Sequence, residues 1–222
     1  MGDERPVRLD VGCGGKKREG FTGLDFVEQP GVDVVLDVTK DRWPFDDRSV
    51  DEVFSSHFLE HIDEPNHVFS EIGRVCRDGA RITFFTPYAF SNEAFVYGHL
   101  HFLTEEPWRH FCVTHRDLFA GMLGGRWQLH RVTYVVPEDV VSELTRLSIG
   151  VPFAVRYLKN VVYEFGVDIE FRTDMDVPAV EPEYFWSTGR DAPPQPMTIH
   201  RAFISNGADS ATAGRLRRLL GA

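Results

Sequence analysis

Cysteine is scarce in this chain, with only Cys13, Cys76 and Cys112 among 222 residues. So small, odd and scattered a set makes no disulfide framework; it suits reduced thiols and an expected cytoplasmic location. No apolar run approaches the roughly 18–20 residues that a membrane-spanning helix needs, so no membrane partner is expected. The stretch Met1–Pro6 is charged and lacks the apolar segment of a signal peptide. Basic residues are outnumbered, 24 against 34 acids, for a net charge of −10. That deficit argues against partners bound by neutralising phosphates, and so against nucleic acid. The glycine–lysine P-loop that cradles a polyphosphate is also missing. What remains is ordinary: 42% hydrophobic and 26% charged residues, which excludes wholesale disorder, collagen and coiled coil.

The charge is uneven. The 47 residues from Asp176 onward hold five acids and five bases, leaving 29 acids against 19 bases in residues 1–175. The two parts also differ in texture. Pro178, Pro182, Pro193, Pro194 and Pro196 interrupt the later segment, and Ala213–Leu220 reads as a short basic amphipathic helix. The sequence therefore divides into a domain over 1–175 and a proline-rich C-terminal extension over 176–222, expected to wrap the body or stay mobile.

Within the domain, short apolar segments end in glycine or acid. Pro6–Val11 reads as a strand running into Gly12-Cys13-Gly14-Gly15, and Gly23–Phe26 and Val32–Asp37 read as strands carrying Asp25 and Asp37. Asp51–Ser56 predicts a fourth strand. It leads into a helix whose apolar positions Phe58, Leu59, Ile62, Phe69, Ile72 and Val75 recur every three or four residues, closed by Asp78-Gly79. Arg81–Pro87 predicts a fifth strand, its near-continuous apolar run suggesting burial on both faces. Helices are expected over His115–Met122, Glu138–Leu147 and Val155–Phe165, and strands near Trp127–Val136 and Val167–Thr173. Strands alternating with helices or loops indicate an open α/β sheet, whose ligands bind at the carboxyl ends of its strands.

A glycine turn after a first strand lets backbone approach a ligand closely, and carboxylates ending the next strands suit a ribose diol and an adenine amine. The competing reading of Asp25 and Asp37 is a helix cap after the strand. Taken in order, Leu9–Gly15, Gly23-Leu24-Asp25, Leu36-Asp37-Val38, Trp43–Asp51, Ser56–His61 and Arg74–Ile82 resemble the successive motifs of class I S-adenosylmethionine-dependent methyltransferases, densely over residues 6–87 and loosely to 175. The resemblance implies an open, mostly parallel, seven-stranded Rossmann-like sheet with helices on both faces, a cofactor half (1–87) and an acceptor half (88–175). It implies methyl transfer from S-adenosylmethionine, leaving S-adenosylhomocysteine. Gly12, Cys13 and Gly14 would pack against the methionine and sugar portions, and Asp10 would hold the ammonium through water. Asp25 would bind the ribose with Phe26 beside the adenine, Asp37 and the Val38 backbone would take the adenine amine, and Ser56 and His57 would line the methyl-donor end. Only nine residues, Gly15–Gly23, separate the glycine turn from the second acid, so a loop is expected where the family usually has a helix.

The acceptor half is rich in aromatics and histidines. Histidine is the natural general base near neutral pH. The segment Gly98–Thr104 resembles a stretch of short-form family members with a histidine before Phe-x-Thr, which makes His99 the first candidate for base and acceptor positioning, and His57 the second. Tyr88, Tyr97, Trp108 and His110 are further acceptor-pocket candidates, with core or lid packing as the alternative for each. His57 and His61 at i, i+4, and the pair His99 and His101, also have metal-ligand spacing. The family's commonest members need no metal, and none is expected here. The leading reading is an O- or N-methyltransferase for a small molecule in biosynthesis, secondary metabolism being one setting. Alternatives are a non-catalytic cofactor-binding partner subunit and a peptide or protein methyltransferase. Closure of the cleft would fall to Tyr88–His110, the extension, or a second subunit in a homodimer.

Overall fold

A computed structural model describes residues 5–198. Its first four strands, β1 (Arg8–Val11), β2 (Thr22–Asp25), β3 (Val34–Val35) and β4 (Val50–Ser56), follow the apolar segments of the sequence. The rest of the chain adds α1 (Pro65–Val75), β5 (Cys76–Pro87), α2 (Glu105–Arg109), a π-helical turn His110–Thr114, α3 (Arg116–Phe119) and β6 (Arg126–Val135). Then come α4 (Glu138–Arg146), α5 (Val151–Tyr157), β7 (Glu164–Arg172), β8 (Glu183–Ser187) and β9 (Gln195–Met197). The sheet order is β3-β2-β1-β4-β5-β7-β6-β8-β9, parallel from β3 to β5, with β7 antiparallel to both its neighbours. Its first seven positions are the expected Rossmann-like methyltransferase sheet.

The last two strands are new. β8 lies parallel to β6, Arg131 to Val135 against Glu183 to Ser187, and β9 returns antiparallel to β8. The break at 175 is therefore not the end of the sheet, which runs to nine strands. The prolines mislead because β9 is an edge strand, where Pro196 costs no internal ladder bond. The suggested helix over Ala213–Leu220 lies outside the described residues.

The fourth connection also departs from expectation. Helix α1 starts at Pro65, not at Phe58. Proline disfavours helical geometry in the residue before it, and Glu64 is accordingly non-helical while Leu59–His61 forms only a single 3₁₀ turn. His57 and His61 thus do not share one helical face. The helix ends at Val75, where Cys76 is already extended; Gly79 serves an irregular start of β5. The helix expected over Val155–Phe165 instead spans Val151–Tyr157, entered through Gly150 with Pro152 in its first turn, and β7 begins at Glu164.

Strand β5 alternates, with Ile82 and Phe84 buried and Arg81 exposed, so the double-sided burial read from its sequence does not hold. The buried face receives α1, whose Phe69 ring meets Phe84, Trp108 and Trp127 at 5.7–6.1 Å. Each such side chain contributes roughly 1.5–3 kcal/mol by leaving water. On the other face, Arg18 from the β1–β2 loop lies over Phe54 at 4.6 Å, and Arg190 lies over Phe85 at 4.7 Å. Among the described residues no helix falls between β1 and β4, so the short loop expected over Gly15–Gly23 is present.

Candidate functional site

The chain reverses its direction of travel across the sheet between β1 and β4, which opens a crevice at the strands' carboxyl ends. Gly12 and Gly14 follow β1 with φ of +68° and +52°, backbone that side-chain-bearing residues adopt only with strain. A Cβ at Gly12 would also sit 2.2 Å from the Phe58 ring. Buried Asp25, the last residue of β2, ties the turn down: Oδ2 accepts the Gly14 N–H at 2.9 Å and Oδ1 accepts that of Val27 at 3.1 Å. Phe26 beside it is 70% exposed, an aromatic face without cover. Asp10 is buried at the end of β1 and accepts the Arg18 N–H at 2.7 Å. Burial pushes its carboxyl above the ordinary range against the pull of that hydrogen bond and nearby cations.

Cys13 lies among these acids. Burial first, and then the charges of Asp10 and Asp25, raise its thiol to about 11. It contributes to the turn as a neutral thiol.

Asp37 behaves differently. Its Oδ1 accepts both the N–H (3.1 Å) and the hydroxyl (2.6 Å) of Thr39, and its Oδ2 pairs with Lys40 at 2.7 Å. Lys40 and Thr39 hold its carboxyl down at about 2. Both oxygens are engaged within the turn after β3, and among the described residues no helix follows that turn before β4, so the helix cap that competes with the ligand reading is not formed. Val38 is buried, and its carbonyl takes the Trp43 indole N–H at 3.1 Å.

Ser56 and His57 close β4. His57 has φ +51°, and its N–H donates to the Phe85 carbonyl at 2.9 Å. Its Nε2 meets Glu164 Oε2 at 2.7 Å and its Nδ1 lies 3.3 Å from Glu60 Oε1. Glu164 and then Glu60 raise the imidazole to about 9, so near neutral pH His57 is a cation, unsuited to the role of base in this arrangement. Glu164 is buried at the first residue of β7. Burial pushes its carboxyl up, but Arg190 and His57 outweigh that and hold it below the usual range. Arg190, just beyond β8, donates from Nε to Glu164 Oε1 at 2.7 Å. The extension therefore reaches the carboxyl end of β4.

Of the acceptor-pocket candidates, two belong to the core. Trp108 stacks on Phe84 at 4.8 Å, fully buried. Tyr88 is buried against Tyr134 and Phe165 at 5.5 and 5.6 Å. His110 sits in the π-helical turn against His115 and Phe119. Tyr97 is fully exposed. His99 is half-buried, its ring 4.7 Å from that of His61. Its loop is held by Glu60, whose carbonyl accepts the Leu100 N–H at 2.6 Å. A cavity of about 220 Å³ lined by Ser91, Asn92, Pro137, Asn160 and Tyr163 opens beside this end; the Tyr163 ring lies 6.5 Å from that of His57.

Sequence reasoning missed Glu164, Arg190 and the exposed role of Tyr163. Glu60 stood inside a quoted motif without an assigned role. Only tertiary pairing brings Glu164 and Arg190 to His57, across separations that leave no local pattern.

Residues 16–84 match the model of a family described as a methyltransferase domain. No curated protein matches the chain in sequence. Among solved structures, an S-adenosylmethionine-dependent methyltransferase from Archaeoglobus fulgidus is similar with a TM-score of 0.51 and 18% identity, over 75% of this chain and 86% of that one. Another, from Mesorhizobium loti, has a TM-score of 0.47 and 14% identity over 74% and 90%. At such identities the likeness is one of fold. By its sheet order and its likeness to the Archaeoglobus fulgidus structure, this chain has the fold of the class I S-adenosylmethionine-dependent methyltransferases, with the methyltransferase-domain match over residues 16–84.

Proposed function

We propose that this chain transfers a methyl group from S-adenosylmethionine to an oxygen or nitrogen of a small molecule. The observation that carries the cofactor reading is Asp25. A buried carboxylate at the carboxyl end of β2, hydrogen-bonded to the glycine turn, stands where a ribose diol meets such a turn in a sheet of this order. Exposed Phe26 offers a face for the adenine, and Asp10 a carboxylate for the ammonium. The sulfonium carries the reactive methyl, so the protein's tasks are to align the nucleophile and exclude water. His57 and Ser56 face that task from β4, His57 as a fixed cation, and His99 approaches from the loop stapled to Glu60.

The small-molecule reading rests on charge. An acidic body without a basic stripe disfavours nucleic acid as acceptor, and a cavity of about 220 Å³ accommodates part of a small ligand, below the roughly 300–1,000 Å³ of full ligand clefts.

The test has two stages. Calorimetry on the full chain is expected to show one site for S-adenosylhomocysteine; absence of binding refutes the cofactor reading. Incubation with S-adenosylmethionine and a panel of hydroxylated and amino compounds is then expected to give a product heavier by one methyl in place of hydrogen. Methylation of peptides but of no compound in the panel would overturn the small-molecule reading.

A further inference from the structure

Glu60 is a costly residue. It is 1% exposed, and neither carboxylate oxygen accepts a hydrogen bond from any described residue. Its Oε1 lies 3.3 Å from His57 Nδ1, within reach of charge attraction but without hydrogen-bond alignment. No lysine or arginine among the described residues pairs with it. A carboxylate taken out of water without hydrogen bonds is unfavourable; the His57 cation offsets part of that cost at Oε1, and the unfilled acceptors point to a further partner.

Two histidines mark where that partner belongs. A carboxylate oxygen of Glu60 and one ring nitrogen from each of His61 and His99 all lie within 4.8 Å of one another. In both rings Nδ1 faces a backbone carbonyl, Gly98 for His61 at 3.3 Å and Ala94 for His99 at 3.2 Å. With Nδ1–H donating to those carbonyls, Nε2 is left as a lone-pair donor. That is the outer arrangement that fixes the tautomer of metal-ligating histidines. The backbone is organised to match, since the Glu60 carbonyl accepts the Leu100 and His101 N–H groups and so fastens the His99 loop to the residue bearing the carboxylate.

We propose that Glu60, His61 and His99 form a binding site for a divalent transition-metal ion of the zinc class. Two imidazoles and one carboxylate are a donor set for Zn²⁺ and its neighbours, not for Mg²⁺ or Ca²⁺, which take oxygen ligands. Ligand atoms around a tetrahedral zinc stand roughly 3.4 Å apart, so the three groups, within 4.8 Å of one another, close up by about an ångström to hold the ion. Three protein ligands leave a position open. Glu60 and His61 follow Ser56 by four and five residues, which puts the ion at the acceptor end of the sheet. Its role there, gripping the acceptor's oxygen or nitrogen as a Lewis acid, rests on the methyl-transfer reading; the site itself does not.

Metal-stripped full-length protein is titrated with Zn²⁺ by calorimetry and with Co²⁺ followed by its visible absorption. The expected result is one ion per chain, with the stronger Co²⁺ bands of a four- or five-coordinate site. Glu60→Gln, His61→Ala and His99→Ala are each expected to weaken Zn²⁺ binding by about 10–100-fold or more. His130→Ala, at an exposed histidine on β6, leaves it unchanged. Thermal unfolding checks each fold; should Glu60→Gln fail to fold, the two histidine variants decide. Wild-type binding no tighter than that of the His61→Ala/His99→Ala double variant overturns the site. Neither cofactor nor acceptor is present, so this outcome is separate from the S-adenosylhomocysteine titration, and either can fail alone.

Discussion

Arg190 lays its guanidinium along the carboxylate of Glu164, Nε on Oε1 at 2.7 Å and Nη2 on Oε2 at 2.5 Å, and that same Oε2 meets His57 Nε2 at 2.7 Å. Two residues, His57 just after β4 and Arg190 just after β8, thus converge on the buried carboxylate of Glu164 at the start of β7. The described part of the C-terminal extension is held to the sheet by charge as well as by the β6–β8 ladder.

Arg190→Ala leaves Glu164 buried with only His57 as a charged partner. Removing one member of a buried pair costs about 3–5 kcal/mol. The Arg190 side chain is 34% exposed, and water screening lowers the expected loss to about 1–3 kcal/mol. Thermal unfolding is expected to fall by about 2–12 °C for a chain of this length. Arg190→Lys, which keeps charge but not the two-nitrogen grip, should lie between. An unchanged midpoint for Arg190→Ala would show that the ladder alone anchors the extension.

A second charged pair locks the loop between β3 and β4. Arg74 on α1 reaches Glu71 Oε2 at 2.7 Å and the Phe45 and Trp43 carbonyls at 2.9 and 3.0 Å, while the other arm of the pair, Glu71, accepts the Trp43 N–H at 2.7 Å. These side chains are only 16% and 10% exposed. Arg74→Ala removes the donor set and leaves Glu71 largely buried, a loss of about 3 kcal/mol. That corresponds to a midpoint lower by roughly 6–12 °C. Glu71→Gln, which still accepts from Trp43, should cost less. A denaturation series showing equal losses would contradict the hydrogen-bond account.

The cofactor half was legible because its information is local. A strand of four residues ending in glycine, and a second ending in Asp25, are read from adjacent letters, and backbone geometry follows directly from glycine. Asp37 was equally visible, and the letters Asp37-Val38-Thr39-Lys40 encode a turn closed by Thr39 and Lys40 rather than a helix cap. The acceptor half was less legible because aromatic residues signal burial and recognition alike. Trp108 and Tyr88 went to the core, while Glu164 and Arg190 gave no periodic or motif signal at all. The strands of the extension were hidden by prolines that an edge strand tolerates and an internal one does not.

Asp25 anchors Gly14 and, in the function proposed above, also binds the ribose; substitutions separate the two. Asp25→Ala removes the proposed ribose acceptor together with the anchor of Gly14; Asp25→Asn retains one carbonyl oxygen that can still hold the Gly14 N–H. A charge-assisted hydrogen bond contributes about 1.5–3 kcal/mol. S-adenosylhomocysteine affinity is therefore expected to fall by roughly 10–100-fold in Asp25→Asn, and further in Asp25→Ala. Calorimetry measures both. Affinity retained in Asp25→Ala would remove Asp25 from the cofactor site.

Cys13 provides a pH test of the same turn. Only the thiolate reacts with alkylating reagents, and the thiol of Cys13, at about 11, loses its proton some two pH units above an ordinary cysteine. At pH 8 the thiolate fraction is therefore about 100-fold smaller than in an unperturbed residue. Iodoacetamide labelling of Cys13 in the native chain, followed by peptide mass spectrometry, is expected to be about 100-fold slower than in urea. Its rate should rise roughly tenfold per pH unit and level off only near pH 11. Cys76 and Cys112 are buried and should label more slowly still. The sign of the electrostatic part is checked by Asp25→Asn: removing one neighbouring negative charge lowers the thiol pKa and should speed labelling at pH 8. Native labelling of Cys13 as fast as in urea would mean that the turn is open to solvent and that Asp10 and Asp25 do not crowd it as the hydrogen bonds to Gly14 and Arg18 require.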